Sequence, residues 1–236
     1  VDPRRNATET LTLSSGASAF AVSPDGEQTA LVLRGEIVVS GRDAGRARVV
    51  ADAPERDGEP AWSADGKTLF FVSRRDGNPE LYAVASADPD EPRLSRARRL
   101  QTTRLTRTGE EESTPVVSPD GRKIAFLRDD RTLWTCDPDG ANARQVFAGL
   151  RLGAPAWSPD GRWIALTRSD EEFNAEVVVV PADGSGKPIN VSMHPRNDIA
   201  PAWSPDGGKL FFLSERNHRE YDVWMAYLRR AGDLPA

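Results

Sequence analysis

Cysteine and histidine are nearly missing from this chain: Cys136 stands alone, and His194 and His218 are the two histidines. A single cysteine forms no internal disulfide and leaves the redox compartment unread. Its place at the end of an expected strand reads as a small buried thiol. One cysteine and two separated histidines do not make a zinc site, so no metal or other cofactor is expected. A nucleophile has few places to find a neighbouring base. Gly-x-Ser-x-Gly does not occur, and Gly184-Ser-Gly186 reads as a hairpin bend, so no catalytic residue is assigned. No glycine-rich loop follows a strand and opens a helix, which removes the usual nucleotide cradle. No apolar run is long enough to span a bilayer, and membrane insertion is not expected. The net charge of −5 comes without a dense basic stripe, which argues against nucleic acid as a partner. The local basic segment Arg93 to Arg107 reads as a solvated loop. Helical periodicity over several turns is also lacking, which leaves an all-β reading.

What the chain does have is a repeat. Ser-(Pro/Ala)-Asp-Gly occurs at 23–26, 63–66, 118–121, 158–161 and 204–207, at spacings of 40, 55, 40 and 46 residues. Pro60, Pro115, Pro155 and Pro201 stand three residues before the serine, with Phe20 in the first copy. Val22, Trp62, Val117, Trp157 and Trp203 stand one residue before it. Proline, aspartate and glycine in this order are turn chemistry. An apolar run follows each turn, as in Leu69-Phe-Phe71 and Leu210-Phe-Phe-Leu213, and reads as a strand covered on both faces. A third strand follows in every copy (Glu36–Ser40, Leu81–Val84, Thr132–Thr135, Glu176–Val180, Tyr221–Met225). A more polar fourth follows in the first four copies (Ala47–Val50, Thr102–Thr106, Ala143–Phe147, Pro188–Val191).

Four antiparallel strands recurring at about this period are the mark of a β-propeller. Residues 1–236 are therefore read as one all-β propeller domain with five blades. The fifth copy has no fourth strand of its own. Glu9-Thr-Leu-Thr-Leu13, ahead of the first copy, is the expected strand that completes the last blade and closes the ring, protecting two sheet edges. An incomplete arc of a larger ring is the competing reading. The equivalence of Trp62, Trp157 and Trp203 by copy points to packing between blades.

Two sets of residues are candidates for a site. Six residues before the motif serine stand Asp57, Glu112 and Asp198, with Ala17 and Leu152 in the other copies. If innermost strands begin there, the three acids surround one channel mouth. They would then bind a cation or cationic peptide, or act as a carboxylate pair on a glycoside; the plainer reading is solvated loop residues. The loops between second and third strands carry Arg74, Arg75, Arg128, Arg168, Arg216 and His218. Clustered arginines hold carboxylates or peptide C-termini by bidentate bonds, while interspersed acids favour self-paired surface charge.

Pro201-Ala-Trp-Ser-Pro-Asp-Gly207 followed by Lys209-Leu-Phe-Phe-Leu-Ser214 resembles the TolB-type propeller repeat over nearly the whole chain. Thr102-Thr-Arg-Leu-Thr106 before Glu110-Glu-Glu-Ser-Thr-Pro115, Val179-Val-Pro-Ala-Asp-Gly184, and His194-Pro-Arg-Asn-Asp198 leading to Phe212-Leu-Ser-Glu-Arg-Asn217 are similar to the propeller region of tricorn-like serine proteases. That resemblance implies a non-catalytic domain that guides or gates peptides and unfolded polypeptide towards protease and PDZ domains located elsewhere. It transfers no catalytic residue to this chain. Five blades depart from the six or seven of the large tricorn propellers. The other reading is a stand-alone TolB-like interaction module of the bacterial cell envelope, with a folded protein as partner. An autonomous glycosidase is a third. Bacterial periplasm and cytoplasm both stay open.

Overall fold

The structure, a computed structural model, describes residues 16–42, 47–51, 53–172, 174–217 and 220–228. Among the described residues there is no α-helix, and no helix is long and apolar enough to cross a membrane.

Each sequence copy forms one antiparallel sheet whose strands follow chain order. The first sheet holds β1 (Ala17–Val22), β2 (Gln28–Leu33), β3 (Glu36–Gly41) and β4 (Ala47–Val49). The second holds β5 (Asp57–Trp62), β6 (Thr68–Ser73), β7 (Glu80–Ser86) and β8 (Leu100–Arg104). The third holds β9 (Glu112–Val117), β10 (Ile124–Arg128), β11 (Thr132–Cys136) and β12 (Arg144–Ala148). The fourth holds β13 (Ala156–Trp157), β14 (Trp163–Ser169), β15 (Ala175–Pro181) and β16 (Ile189–Asn190). The fifth has three described strands, β17 (Asp198–Trp203), β18 (Lys209–Asn217) and β19 (Glu220–Tyr227). The expected closing strand, Glu9 to Leu13, lies outside the described residues.

The Ser-(Pro/Ala)-Asp-Gly turn is a small machine of hydrogen bonds, repeated five times. In the third sheet Ser118 Oγ donates to Asp120 Oδ1 at 2.7 Å and accepts the amide of Lys123 at 2.9 Å. Asp120 Oδ1 also accepts the amide of Arg122 at 3.1 Å. The glycine closes the turn at φ +71 in this copy and between +68 and +71 in the others, a region that other residues enter only at a cost. The serine hydroxyl holds the carboxyls of Asp25, Asp65, Asp120, Asp160 and Asp206 below their ordinary range.

The second strands are buried on both faces, as the unbroken apolar runs require. In β6, Leu69 and Phe71 face the first sheet's Ala30, Val32, Ile37 and Val39, while Phe70 and Val72 face Phe126 and Ile124 of the third. The pattern continues to the fifth sheet, where Leu210 and Phe212 face Val177 and Val179. Indoles bolt the sheets together: Trp62, Trp157 and Trp203 each donate Nε1–H to a carbonyl of the preceding inner strand, Ala21, Val116 and Ala156, at 3.0–3.1 Å. This is the between-blade role expected of them. Cys136 is buried, and burial pushes its thiol up to about 12.

The inner strands β1, β5, β9, β13 and β17 pack in succession. Among the described residues, no extensive packing joins the fifth sheet to the first. The outward faces there stay exposed: Phe20 and Val22 on β1, and Tyr221, Val223, Met225 and Tyr227 on β19. The segment Arg93 to Arg107 is only partly the solvated loop its charge suggests. Leu94 sits in the first core cluster and Arg104 pairs with Glu80, because β8 must lie on β7.

Candidate functional site

Inner strands β5, β9 and β17 begin at Asp57, Glu112 and Asp198. These acids are buried rather than solvated, with exposures of 3, 1 and 0 %. Each meets an arginine from the end of its own second strand or, for Arg75, from two residues beyond it. Arg75 Nη2 reaches both oxygens of Asp57 at 3.1 and 3.2 Å, and Arg216 Nη2 reaches both of Asp198 at 3.2 and 3.1 Å. Arg128 Nε donates to Glu112 Oε1 at 3.0 Å. In the second and fifth sheets a serine braces the guanidinium: Ser73 and Ser214 Oγ accept Nε of Arg75 and Arg216 at 2.8 Å.

Each of these arginines also lies over aromatic rings. Arg75 sits 4.8 Å from Tyr82, Arg128 3.9 Å from Trp134 and Arg216 4.5 Å from Trp224. A charge over a π face gains a further attraction, and the flat guanidinium suits that shelf. Three of the arginines singled out by sequence are therefore engaged by the three acids singled out with them. Burial raises the carboxyls of Asp57 and Glu112, opposed by hydrogen bonds from Ser73 and Arg75 in one case and from Thr106 and Arg128 in the other.

Arg74 and Arg168 stand apart. Arg74 makes a long, exposed pair with Glu111 at 3.7 Å. Arg168 reaches Glu176 Oε2 at 3.3 Å, and its buried Nε has no hydrogen-bond partner among the described residues. His218 lies outside the described residues.

Between the second and third sheets, at this same end, a cleft of about 500 Å³ opens. Six carboxylates, Asp57, Glu59, Glu111, Glu112, Asp129 and Asp130, line it against two arginines, Arg56 and Arg74. Bulges shape its wall. Residues 59, 114 and 200 precede the conserved-by-copy prolines of β5, β9 and β17, and take φ of 52, 50 and 54 where the pairing register shifts. Glu59 accepts the amide of Thr114, which ties one bulge to the next. Desolvation, with Asp130 adding repulsion, raises the Glu59 carboxyl. Asp129 and Asp130 occupy the hairpin loop at φ 50 and 51, a backbone that aspartate tolerates better than most residues. Reading by copy missed Glu59, Asp129 and Asp130. The signals were the residue ahead of Pro60 and an Asp-Asp pair where the first copy has Arg34-Gly35.

At the opposite end, by the Ser-Pro-Asp-Gly turns of the last two sheets, lies a groove of about 840 Å³. Trp163, Trp203, Ile189, Val191, Tyr227 and Leu228 give it an apolar wall.

A family model described as the TolB beta propeller domain matches residues 4–146, and one described as the lipoprotein LpqB beta-propeller domain matches residues 93–201. The Tol-Pal system protein TolB of Anaeromyxobacter dehalogenans is 32 % identical over 114 residues, covering 47 % of this chain and 24 % of that protein. The uncharacterized peptidase YuxL of Bacillus subtilis is 27 % identical over 172 residues, 67 % of this chain and 22 % of YuxL. Among solved structures, the tricorn protease superposes with a TM-score of 0.63 at 14 % identity, over 90 % of this chain and 22 % of its own, a likeness of fold. The chain thus spans about a quarter of the length of these relatives.

Proposed function

Because the chain belongs to the TolB β-propeller domain family, we propose that it is a non-catalytic recognition domain that receives extended polypeptide at the end bearing the second-to-third-strand loops. The observation that carries this reading is the cleft between the second and third sheets. With Asp57 and Glu112 paired to Arg75 and Arg128, the other four carboxylates face two arginines in about 500 Å³, a negative recess wide enough for side chains of an extended peptide. Low-dielectric walls focus such a field and draw in cationic residues. Asp57 and Glu112, which Arg75 and Arg128 already engage, fix the rim, Glu111 stands against Arg74, and Glu59, Asp129 and Asp130 present charge from it.

The setting we propose is a tricorn-like serine protease whose catalytic and PDZ domains lie outside these residues. The likeness to YuxL, named a peptidase, supports it. The second reading, a TolB-like module for a folded protein partner, is supported by the apolar groove at the opposite end and by the likeness to TolB.

Binding of an unstructured lysine-containing peptide, followed by fluorescence anisotropy, tests the main reading. Affinity is expected to fall as salt rises and to fall about threefold in Glu59→Gln or Asp130→Asn, as loss of one partly screened charge implies. Salt-independent binding unaffected by either substitution would place the peptide elsewhere, and no binding would remove the reading.

A further inference from the structure

Arg168 is Arg128 moved one sheet along, without its partners. Both stand ten residues after a motif serine, near the end of a second strand. In the third sheet the acid opposite is Glu112. In the fourth, Leu152 holds that place: its amide donates to the carbonyl of Asp130 at 2.7 Å, as Glu112's does to Pro79 at 3.0 Å and Asp57's to Gly35 at 2.7 Å. The two shelf positions are aliphatic as well, since Leu166 and Val178 pair where the third sheet has Phe126 and Trp134.

Among the described residues, what is left is a guanidinium with one ion pair, to Glu176 at 3.3 Å, longer than a good charge-assisted bond. Its side chain is 34 % exposed, against 10 % for Arg128 and 18 % for Arg75 and Arg216. Nε is buried and has no partner among the described residues. Nε itself is closed to solvent, so an incoming acceptor meets the exposed remainder of this side chain, whose pair with Glu176 is long. A carboxylate is the acceptor that matches both the charge and the planar fork.

We propose that Arg168 anchors a carboxylate of bound polypeptide, resting on the peptide-recognition reading above. The anchor lies at the same end of the sheets as the acidic cleft and in the next sheet along, so a peptide would place basic residues in the cleft and its carboxylate at Arg168. The carboxylate is the C-terminus or an acidic side chain, and the two sources separate in the test.

Three peptides of lysine, alanine and leucine are titrated against the full chain: one with a free C-terminus, one amidated, and one amidated with a single glutamate. The free acid, the glutamate peptide or both are expected to bind about tenfold more tightly than the plain amide, the scale of a hydrogen bond to a charged group. Arg168→Gln is expected to erase that difference while leaving the affinity of the plain amide unchanged. Arg168→Lys should restore part of it, because charge returns without the fork. Leu152→Glu, which supplies the acid found in the third sheet, should also erase it. Leu152 is buried, so Arg168→Gln remains the deciding variant if Leu152→Glu does not fold. Equal affinity of all three peptides for the unaltered chain overturns the anchor and leaves peptide recognition standing. A preference for carboxylate that survives Arg168→Gln also overturns it. Failure of every peptide to bind overturns both.

Discussion

The third and fourth sheets share one plan and differ in what becomes of one arginine. In the third, Arg128 is closed in by Glu112 on one side and Trp134 on the other. In the fourth, the same position carries Arg168, with Leu152 in the place of Glu112 and Val178 in the place of Trp134, and a buried donor has no partner among the described residues. A repeat protein can thus use one residue type in two ways: where acid and shelf are both present the arginine belongs to the fold, and where both are replaced by aliphatics it is left partly exposed. Identity of residue does not tell these apart. The neighbours on the adjoining strands do.

The largest separation between the two sheets should come from removing the guanidinium. Arg128→Ala strands Glu112, whose side chain is fully buried, and breaking such a pair by deleting one partner costs about 3–5 kcal/mol. Urea unfolding measures this, and a loss below about 1 kcal/mol would mean that Glu112 takes up a proton or water at little cost. Next in size is the indole bolt. Trp62→Phe leaves the carbonyl of Ala21 without its donor and is expected to cost about 1–2 kcal/mol. The third sheet, which has Val117 in that place, shows that the bolt is not required at every joint.

Ser118→Ala removes the hydroxyl that organises its turn and should cost about 1 kcal/mol. The dependence on pH has a definite sign. Asp120 is held below its ordinary value by Ser118, so the serine's contribution is present above the ordinary carboxylate range and is lost as pH falls through the depressed value. The gap between the unaltered chain and Ser118→Ala should therefore narrow as pH falls below the ordinary carboxylate range, which unfolding series at neutral and at acid pH would show. The smallest effect on stability belongs to Arg168→Gln, under about 1 kcal/mol, because its pair with Glu176 is long and partly exposed.

Much of this was legible in the sequence because turn chemistry is local. Ser118, Asp120 and Gly121 carry their own hydrogen-bond instructions, and five copies gave the sheet boundaries within a few residues. The starts of β5, β9 and β17 at Asp57, Glu112 and Asp198 followed from the same alignment. Burial of those acids was not legible, since it depends on arginines that return across the hairpin: Arg128 directly opposite Glu112, and Arg75 from two residues beyond Ser73, which faces Asp57. A copy-by-copy alignment already held Leu152 against Glu112. Its meaning depends on the second strand, where Arg168 stands at the position from which Arg128 meets Glu112. Glu59 escaped notice because a bulge, which has no simple alternation, brings it to the cleft.

The most direct test of two uses for one repeated arginine is to compare Arg128→Ala and Arg168→Gln side by side for unfolding free energy and for affinity towards the free-acid peptide. A crossed result is expected, with the glutamate peptide taking the place of the free acid if it is the one preferred: Arg128→Ala unfolds far more readily, whereas Arg168→Gln keeps its stability and loses about tenfold in affinity. If both variants lose stability alike and bind alike, the two arginines serve one structural purpose and the distinction between the sheets is wrong.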